Sequence, residues 1–249
     1  AGARWRAWGG RPGQAAKVLG LLGFLAPDGP GVQLDSGERL DENARSRAGA
    51  AVDDARQAAA LLGWSAVDGG DRVGALLFDD QNHQEHRPRG GKPPLLHLLK
   101  SLGEASRWQR ANAGKNGVEV SLLSAVQRLR RVASPGSLIF IMSDFAGLTR
   151  TTASQITELG RHSEVVLGFC HDPLEAELPP AGHYRVSDGE QSRVIDTGSQ
   201  SQREEYHARF TAQLSELERL AHLPGIHLLP LSTTDDPLAV LQRRFGVKR

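Results

Sequence analysis

The residues with the clearest chemical potential are a hydroxyl and a carboxylate, Ser143-Asp144, which directly follow the apolar run 137–142. The run begins after the turn signal Pro135-Gly136, and its length is typical of a strand that is buried on both faces. Open α/β sheets bind ligands at the carboxyl ends of their strands, and these oxygen donors suit Mg²⁺. Alternatively, Asp144 caps the next helix, because Asp accepts hydrogen bonds from first-turn N–H groups.

A second group of candidate residues follows another apolar run, 164–169. Asp172, Glu175 and Glu177 lie in an acidic segment that is bounded by prolines. Because the carboxyl ends of parallel strands meet at one edge, we expect this segment to lie beside Asp144. Its carboxylates could complete a cation site or form a docking surface for a protein partner. The alternative is a rigid connector whose prolines prevent helix formation.

The remaining nucleophiles and bases give weaker signals. His83 and His86 lie in the polar segment 83–94, where a solvated loop is favoured over a zinc site. The single cysteine, Cys170, excludes an internal disulfide and fits a reducing compartment, which predicts a cytoplasmic protein. His171 is the one base that adjoins the carboxylates. It supports an alternative function, a metal-dependent hydrolase that uses Asp144 and Asp172.

Composition excludes several classes of partner. The net charge is +1, from 30 basic and 29 acidic residues, and this balance offers no argument for binding nucleic acid or an anionic membrane. No apolar run approaches the roughly 20 residues that a membrane span requires. Hydrophobic residues make up 39% of the chain, which is enough for a globular core.

Strand and helix patterns alternate from residue 52 onward, which indicates βαβ units and a mostly parallel sheet covered by helices. The predicted strands are 73–78, 137–142, 164–169 and 226–231. The predicted helices are 55–66, 95–102, 120–132, 151–162, 204–223 and 237–245. A short hairpin is predicted from 184–186 and 193–196, through the turn Ser187-Asp188-Gly189-Glu190.

Several short blocks, in this order, resemble the DUF58 family over residues 52–249. They are Gly70-Asp71-Arg72-Val73-Gly74, residues 135–145, Arg161-His162, residues 172–179 and Ser187-Asp188-Gly189. The resemblance implies a three-layer, von Willebrand factor A-like (Rossmann-like) domain. It further implies a bacterial, non-enzymatic adaptor or chaperone-like protein that works with a MoxR-type AAA+ ATPase.

The same resemblance implies a metal-ion-dependent adhesion site that holds Mg²⁺. In A-type domains this site uses Asp-x-Ser-x-Ser after the first strand, a loop hydroxyl and an Asp after the fourth strand. Asp144 matches the last Asp, and Ser121 matches the loop hydroxyl, although a helix cap explains Ser121 equally well. The cation of such a site can bind a carboxylate of a protein ligand. Ser143, Asp172, Glu175 and Glu177 would then contact the partner.

Residues 1–51 depart from the family pattern. No Asp-x-Ser-x-Ser occurs there, and the nearest sequence, residues 35–39, places Arg39 where a hydroxyl is needed. We also expect no first core strand in this segment, because its apolar runs are short and interrupted by glycine. The chain is therefore expected to be truncated, divergent without a metal, or read out of frame in this segment. Each account predicts weak or absent Mg²⁺ binding.

Overall fold

The computed structural model describes residues 17–23, 47–78, 83–111, 118–178, 180–187 and 192–246. The strands are β1 Lys17–Gly23, β2 Arg72–Phe78, β3 His83–Gly90, β4 Leu138–Ser143, β5 Glu164–His171, β6 His183–Ser187, β7 Ser192–Asp196 and β8 Ile226–Ser232. The helices are α1 Arg47–Asp68, α2 Lys92–Ala111, α3 Val118–Val132, α4 Arg150–Gly160, α5 Pro173–Ala176, α6 Gln200–Ala221 and α7 Pro237–Phe245.

Six strands form the central sheet in the order β3-β2-β1-β4-β5-β8. Every neighbouring pair is parallel except β2 and β3, which are antiparallel. After β1, the strands β2 and β3 are added on one side of it. The strands β4, β5 and β8 are added in turn on the other side. The order therefore reverses between β1 and β4, and in open α/β sheets such a reversal leaves a crevice at the carboxyl ends of the strands.

Helices cover both faces of the sheet. Buried residues of α1, α2 and α7 form one core cluster with alternate residues of the strands, including Phe140 and Met142 of β4. The other residues of β4, including Ile139 and Ile141, pack with α3, α4 and α6. Because β4 is buried on both faces, its sequence is a continuous apolar run. The mixed α/β class and the largely parallel sheet are confirmed.

The first strand corrects an expectation from the sequence. We expected no core strand in residues 1–50, and this is wrong, because β1 lies in the centre of the sheet and pairs with both β2 and β4. Gly20 and Gly23 interrupt its apolar pattern and hide the strand signal. β1 therefore belongs to the same sheet as the later strands. Residues 35–39 lie outside the described part of the chain.

The edge strand β3 is a second correction. The polar segment 83–94 was expected to be a loop, but its first part pairs antiparallel with β2 and its last part begins α2. Edge strands tolerate polar residues because one side faces water. The hairpin of β6 and β7 is confirmed, and its turn, residues 188–191, lies outside the described residues. Of the helices that the structure describes, none is long and apolar enough to cross a membrane.

Candidate functional site

The turn after β4 holds the first candidate residues in a defined geometry. Ser143 Oγ accepts a hydrogen bond from Phe145 N at 3.0 Å, and Asp144 Oδ1 accepts one from Ala146 N at 3.1 Å. Phe145 has a φ of +56°, a left-handed conformation that is uncommon outside glycine, and its side chain is fully buried. The buried ring anchors the turn, and the Asp144 side chain remains half-buried at the edge of the sheet.

The structure excludes the helix-cap interpretation of Asp144. Helix α4 begins at Arg150, and its N-cap is Thr149, whose Oγ1 accepts a hydrogen bond from Thr152 N. The main-chain oxygen of Asp144 instead accepts a bond of 2.6 Å from Gln213 Nε2 on α6. The conformation of Asp144 is thus determined by its own turn and by α6.

Asp172 is the most constrained carboxylate at this edge. Its Oδ1 accepts a hydrogen bond from Leu174 N at 2.8 Å, and its Oδ2 accepts one from Thr233 Oγ1 at 2.6 Å. The residue is only 7% exposed and is the N-cap of α5, in which Pro173 occupies the first turn. Proline is tolerated there because that position needs no N–H donor. The alternative interpretation, in which the prolines prevent helix formation, is therefore wrong for residues 173–176.

Glu175 completes a capping box, because its Oε1 accepts a hydrogen bond of 3.2 Å from Asp172 N. Burial raises the pKa of Glu175 to about 7, and the charges of Asp144 and Asp172 contribute to the rise against the opposing effect of that hydrogen bond. Burial and the charges of Glu175 and Asp172 also raise the pKa of Tyr206 on α6. The structure therefore places two of the predicted carboxylates, Asp144 and Asp172, close enough to Glu175 for their charges to disfavour its ionised form.

Glu175→Gln is expected to stabilise the protein at alkaline pH. A raised pKa favours the protonated carboxyl in the folded state, so its contribution is full below the ordinary pKa of 4.5 and is lost as the pH rises through about 7. Glutamine keeps the acceptor oxygen without the charge. Chemical denaturation should show the variant more stable by about 1 to 3 kcal/mol at pH 8, and equal to wild type near pH 4. The same difference at both pH values would contradict this explanation.

Two further acidic residues at the same edge were not predicted from the sequence. Burial raises the pKa of Asp54 on α1 to about 6, and the charges of Asp53 and Asp235 add to the effect. Burial, and then the charges of Asp144 and Asp54, also raise the pKa of the Cys170 thiol, so the thiol lies beneath the edge and is not activated. Asp235 follows β8, a position that the predicted strand 226–231 could have revealed.

The other predicted residues are placed as follows. Glu177 is exposed and is the C-cap of α5. The backbone of Ser121 lies in the first turn of α3, and its hydroxyl is outside the part of the chain that the structure describes. His171 stacks on Phe169, with ring centroids 4.8 Å apart, and also contacts Phe210. These contacts give His171 a packing role.

Among the residues that the structure describes, the oxygen donors at this edge are few for Mg²⁺, which requires near-octahedral coordination. Both carboxylate oxygens of Asp172 already accept hydrogen bonds, and Asp144 Oδ1 accepts two, from Ala146 N and from Ser143 Oγ. The segment that follows β1, residues 24–46, lies outside the described part of the chain. Across the described residues, no three His, Cys, Asp or Glu side chains are placed to share a metal ion.

Three solved structures are similar to the chain. An aerotolerance-related membrane protein from Bacteroides fragilis NCTC 9343, with multiple mutations to serines, is 14% identical, with 92% of this chain and 96% of that chain covered and a TM-score of 0.48. The conserved hypothetical protein BatB from Bacteroides thetaiotaomicron is 14% identical, with coverages of 82% and 98% and a TM-score of 0.43. An uncharacterized membrane spanning protein from Vibrio fischeri is 12% identical, with coverages of 92% and 97% and a TM-score of 0.23.

At these scores no inference about function is drawn from the three structures. No curated protein matches the sequence. The family comparison is decisive, because residues 39–216, well over half of the chain, match the family described as "Protein of unknown function DUF58". The chain is a member of the DUF58 family.

Proposed function

We propose that this protein is a non-enzymatic adaptor that docks a partner protein through the carboxyl edge of its sheet. We call this surface the acidic edge and define it by the half-buried Asp144 and Glu175 and the exposed Glu177. The buried Ser143 and Asp172 hold these residues in position. The observation that carries the proposal is the turn at Asp144. The buried ring of Phe145 fixes this turn, and the half-buried Asp144 carboxylate lies at the end of β4, beside the point where the strand order reverses between β1 and β4. Rigid presentation of a charged group suits recognition of a partner.

The proposal includes a von Willebrand factor A-like fold. Helices on both faces of a mostly parallel sheet, and a carboxylate after the fourth strand, support this assignment. The proposed partner is a MoxR-type AAA+ ATPase, as the family resemblance implies, and the proposed location is the cytoplasm. The hydrolase alternative gains no support from His171, whose ring stacks on Phe169.

We further propose that docking needs no metal ion. Among the described residues, the oxygen atoms left free at this edge are fewer than a resident Mg²⁺ requires, and in this proposal no cation neutralises the acidic edge. Burial first, and then the charges of Asp144 and Asp172, raise the pKa of Glu175, because negative charge accumulates at this edge. An uncompensated acidic surface repels carboxylates and attracts arginine and lysine. The contact surface of the partner is therefore basic.

Asp144→Asn is expected to weaken binding of the purified MoxR-type ATPase from the same organism by about tenfold, which corresponds to roughly 1.4 kcal/mol. Asparagine keeps the Oδ1 acceptor for Ala146 N and removes only the charge. Asp68→Asn is the matched control, because Asp68 is an exposed residue at the end of α1, at the opposite edge of the sheet. Titration calorimetry measures both affinities. Equal affinities for wild type and Asp144→Asn would refute the assignment.

Millimolar Mg²⁺ is expected to leave the thermal midpoint of wild type unchanged. A bound ion at about 100 times its dissociation constant would add roughly 2.7 kcal/mol to stability, which corresponds to a shift of several degrees. Differential scanning calorimetry of wild type and Asp144→Asn, each with and without Mg²⁺, measures the shift. A rise in wild type that disappears in the variant would show that Asp144 holds a cation.

A further inference from the structure

A polar contact between β3 and α2 lies away from the acidic edge. Gln84 and His86 share the side of β3 that faces α2, whereas the intervening Glu85 is exposed. Gln84 Nε2 donates to Ser101 Oγ at 3.4 Å, and Ser101 Oγ in turn donates to the main-chain oxygen of His97 at 3.2 Å. Two residues after Gln84 on β3, the ring of His86 contacts the ring of His97 on α2. Their centroids are 5.6 Å apart, and the interplanar angle is 67°.

The imidazole of His86 is poorly satisfied in this contact. Its Nε2 is buried and has no hydrogen-bond partner among the described residues, which is costly for a polar atom. Burial and the neighbouring His97 lower the pKa of His86 below its ordinary value. Neutral imidazole is the form that binds metal ions. His97 is exposed, which opens this side of the contact to solvent.

The separation of the two ring centroids, 5.6 Å, is close to that of two imidazole ligands on one ion. With Zn–N distances of about 2.0 Å and tetrahedral angles, two imidazole centroids lie roughly 5 Å apart. We propose that His86 and His97 form a two-histidine site for a late first-row transition metal ion of the Zn²⁺ class, with water in the remaining positions. Imidazole suits Zn²⁺ and Ni²⁺, whereas Mg²⁺ prefers oxygen ligands.

Such a site would join the edge strand to its covering helix. β3 is at one end of the strand order and α2 packs on it, so the bound ion would cross-link two elements that are distant in sequence from the acidic edge. The expected consequence is a local gain in stability of the β3–α2 contact in the presence of the ion. The proposal is independent of the docking function.

The test is calorimetric titration of ZnCl₂ into wild type and three single variants. Zn²⁺ affinity is expected to fall at least tenfold in both His86→Ala and His97→Ala. His83→Ala is the matched control, because His83 is an exposed histidine on the same strand, and its Zn²⁺ affinity should equal that of wild type. His97→Ala is the more informative variant, because His97 is exposed and its removal leaves the core intact.

Three results would overturn the proposal. They are no Zn²⁺ binding to wild type at millimolar concentration, equal affinity in wild type and either His86→Ala or His97→Ala, and an equal loss in His83→Ala. Circular dichroism of each variant establishes that it is folded before titration. Excess Mg²⁺ should not compete, since its preference for oxygen ligands differs from that of the proposed site.

Discussion

Gly225→Ala is expected to lower the free energy of unfolding by at least about 3 kcal/mol. Gly225 precedes β8 with a φ of +75°, and a Cβ there would lie only 2.2 Å from the main-chain oxygen of Gly160. The substitution therefore adds a backbone clash to the cost of the left-handed conformation. The Gly225 carbonyl also accepts a 2.8 Å hydrogen bond from Val165 N, so a shift of the backbone at residue 225 disturbs the start of β5. Urea denaturation measures the loss.

Gly136→Ala is the control for the conformational part of this effect. Gly136 has a φ of +78°, but a Cβ there would meet no atom within 4 Å. The variant should lose only about 1 to 2 kcal/mol, the usual cost of a left-handed alanine. Equal losses at Gly136 and Gly225 would show that the approach to Gly160 contributes nothing.

Asp172→Ala is expected to cost about 2 to 4 kcal/mol of folding stability. The substitution removes the N-cap of α5 and leaves the hydroxyl of Thr233 without the carboxylate to which it donates. The sequence predicts that Asp172 contacts the partner directly. Its 7% exposure and these bonds favour a positioning role for the loop that carries Glu175 and Glu177.

A double-mutant cycle with Thr233→Val separates the two contributions of Asp172. Thr233 follows β8, so its bond to Asp172 ties the ends of β5 and β8 together. The coupling between the two substitutions should be about 1 kcal/mol or more. The loss of stability in Asp172→Ala that remains after this coupling is subtracted measures the contribution of the helix cap. Additive effects would show that the 2.6 Å contact contributes no stability.

The apolar strands could be predicted from the sequence because a strand that is buried on both faces is a continuous run of apolar residues. The predicted strand 137–142 is displaced by one residue from β4, and the predicted helix 237–245 coincides with α7. Helix α7 was recognisable because Pro237 follows a capping aspartate, Asp236, which accepts a hydrogen bond from Leu238 N.

The elements that were missed share weak local signals. β1 is interrupted by Gly20 and Gly23, and β3 consists largely of polar and charged residues. β1 is specified by pairing with β2 and β4, which are distant in sequence, whereas β3 directly follows β2 and is specified by its place as the edge strand beside it. Contacts of that kind are not visible in a local pattern.

The carboxylates at the acidic edge were predictable because each follows a strand, but their roles were not. Whether Asp144 or Thr149 caps α4 depends on a turn in which Phe145 is left-handed, and a buried aromatic residue is a rare choice for that conformation. Likewise, the hydrogen bond between Asp172 and Thr233 joins residues 61 positions apart. Side-chain partners at this separation follow from the tertiary fold and not from residue spacing.

The central claim, docking through the acidic edge, is tested most directly by amide hydrogen exchange of the protein with and without the purified MoxR-type ATPase. The proposal predicts slower exchange on complex formation in residues 143–147, 173–177 and 233–236. Residues 68–72 and 133–137, at the opposite edge of the sheet, should exchange at unchanged rates. Protection confined to that opposite edge, with the acidic edge unaffected, would contradict the proposed docking surface.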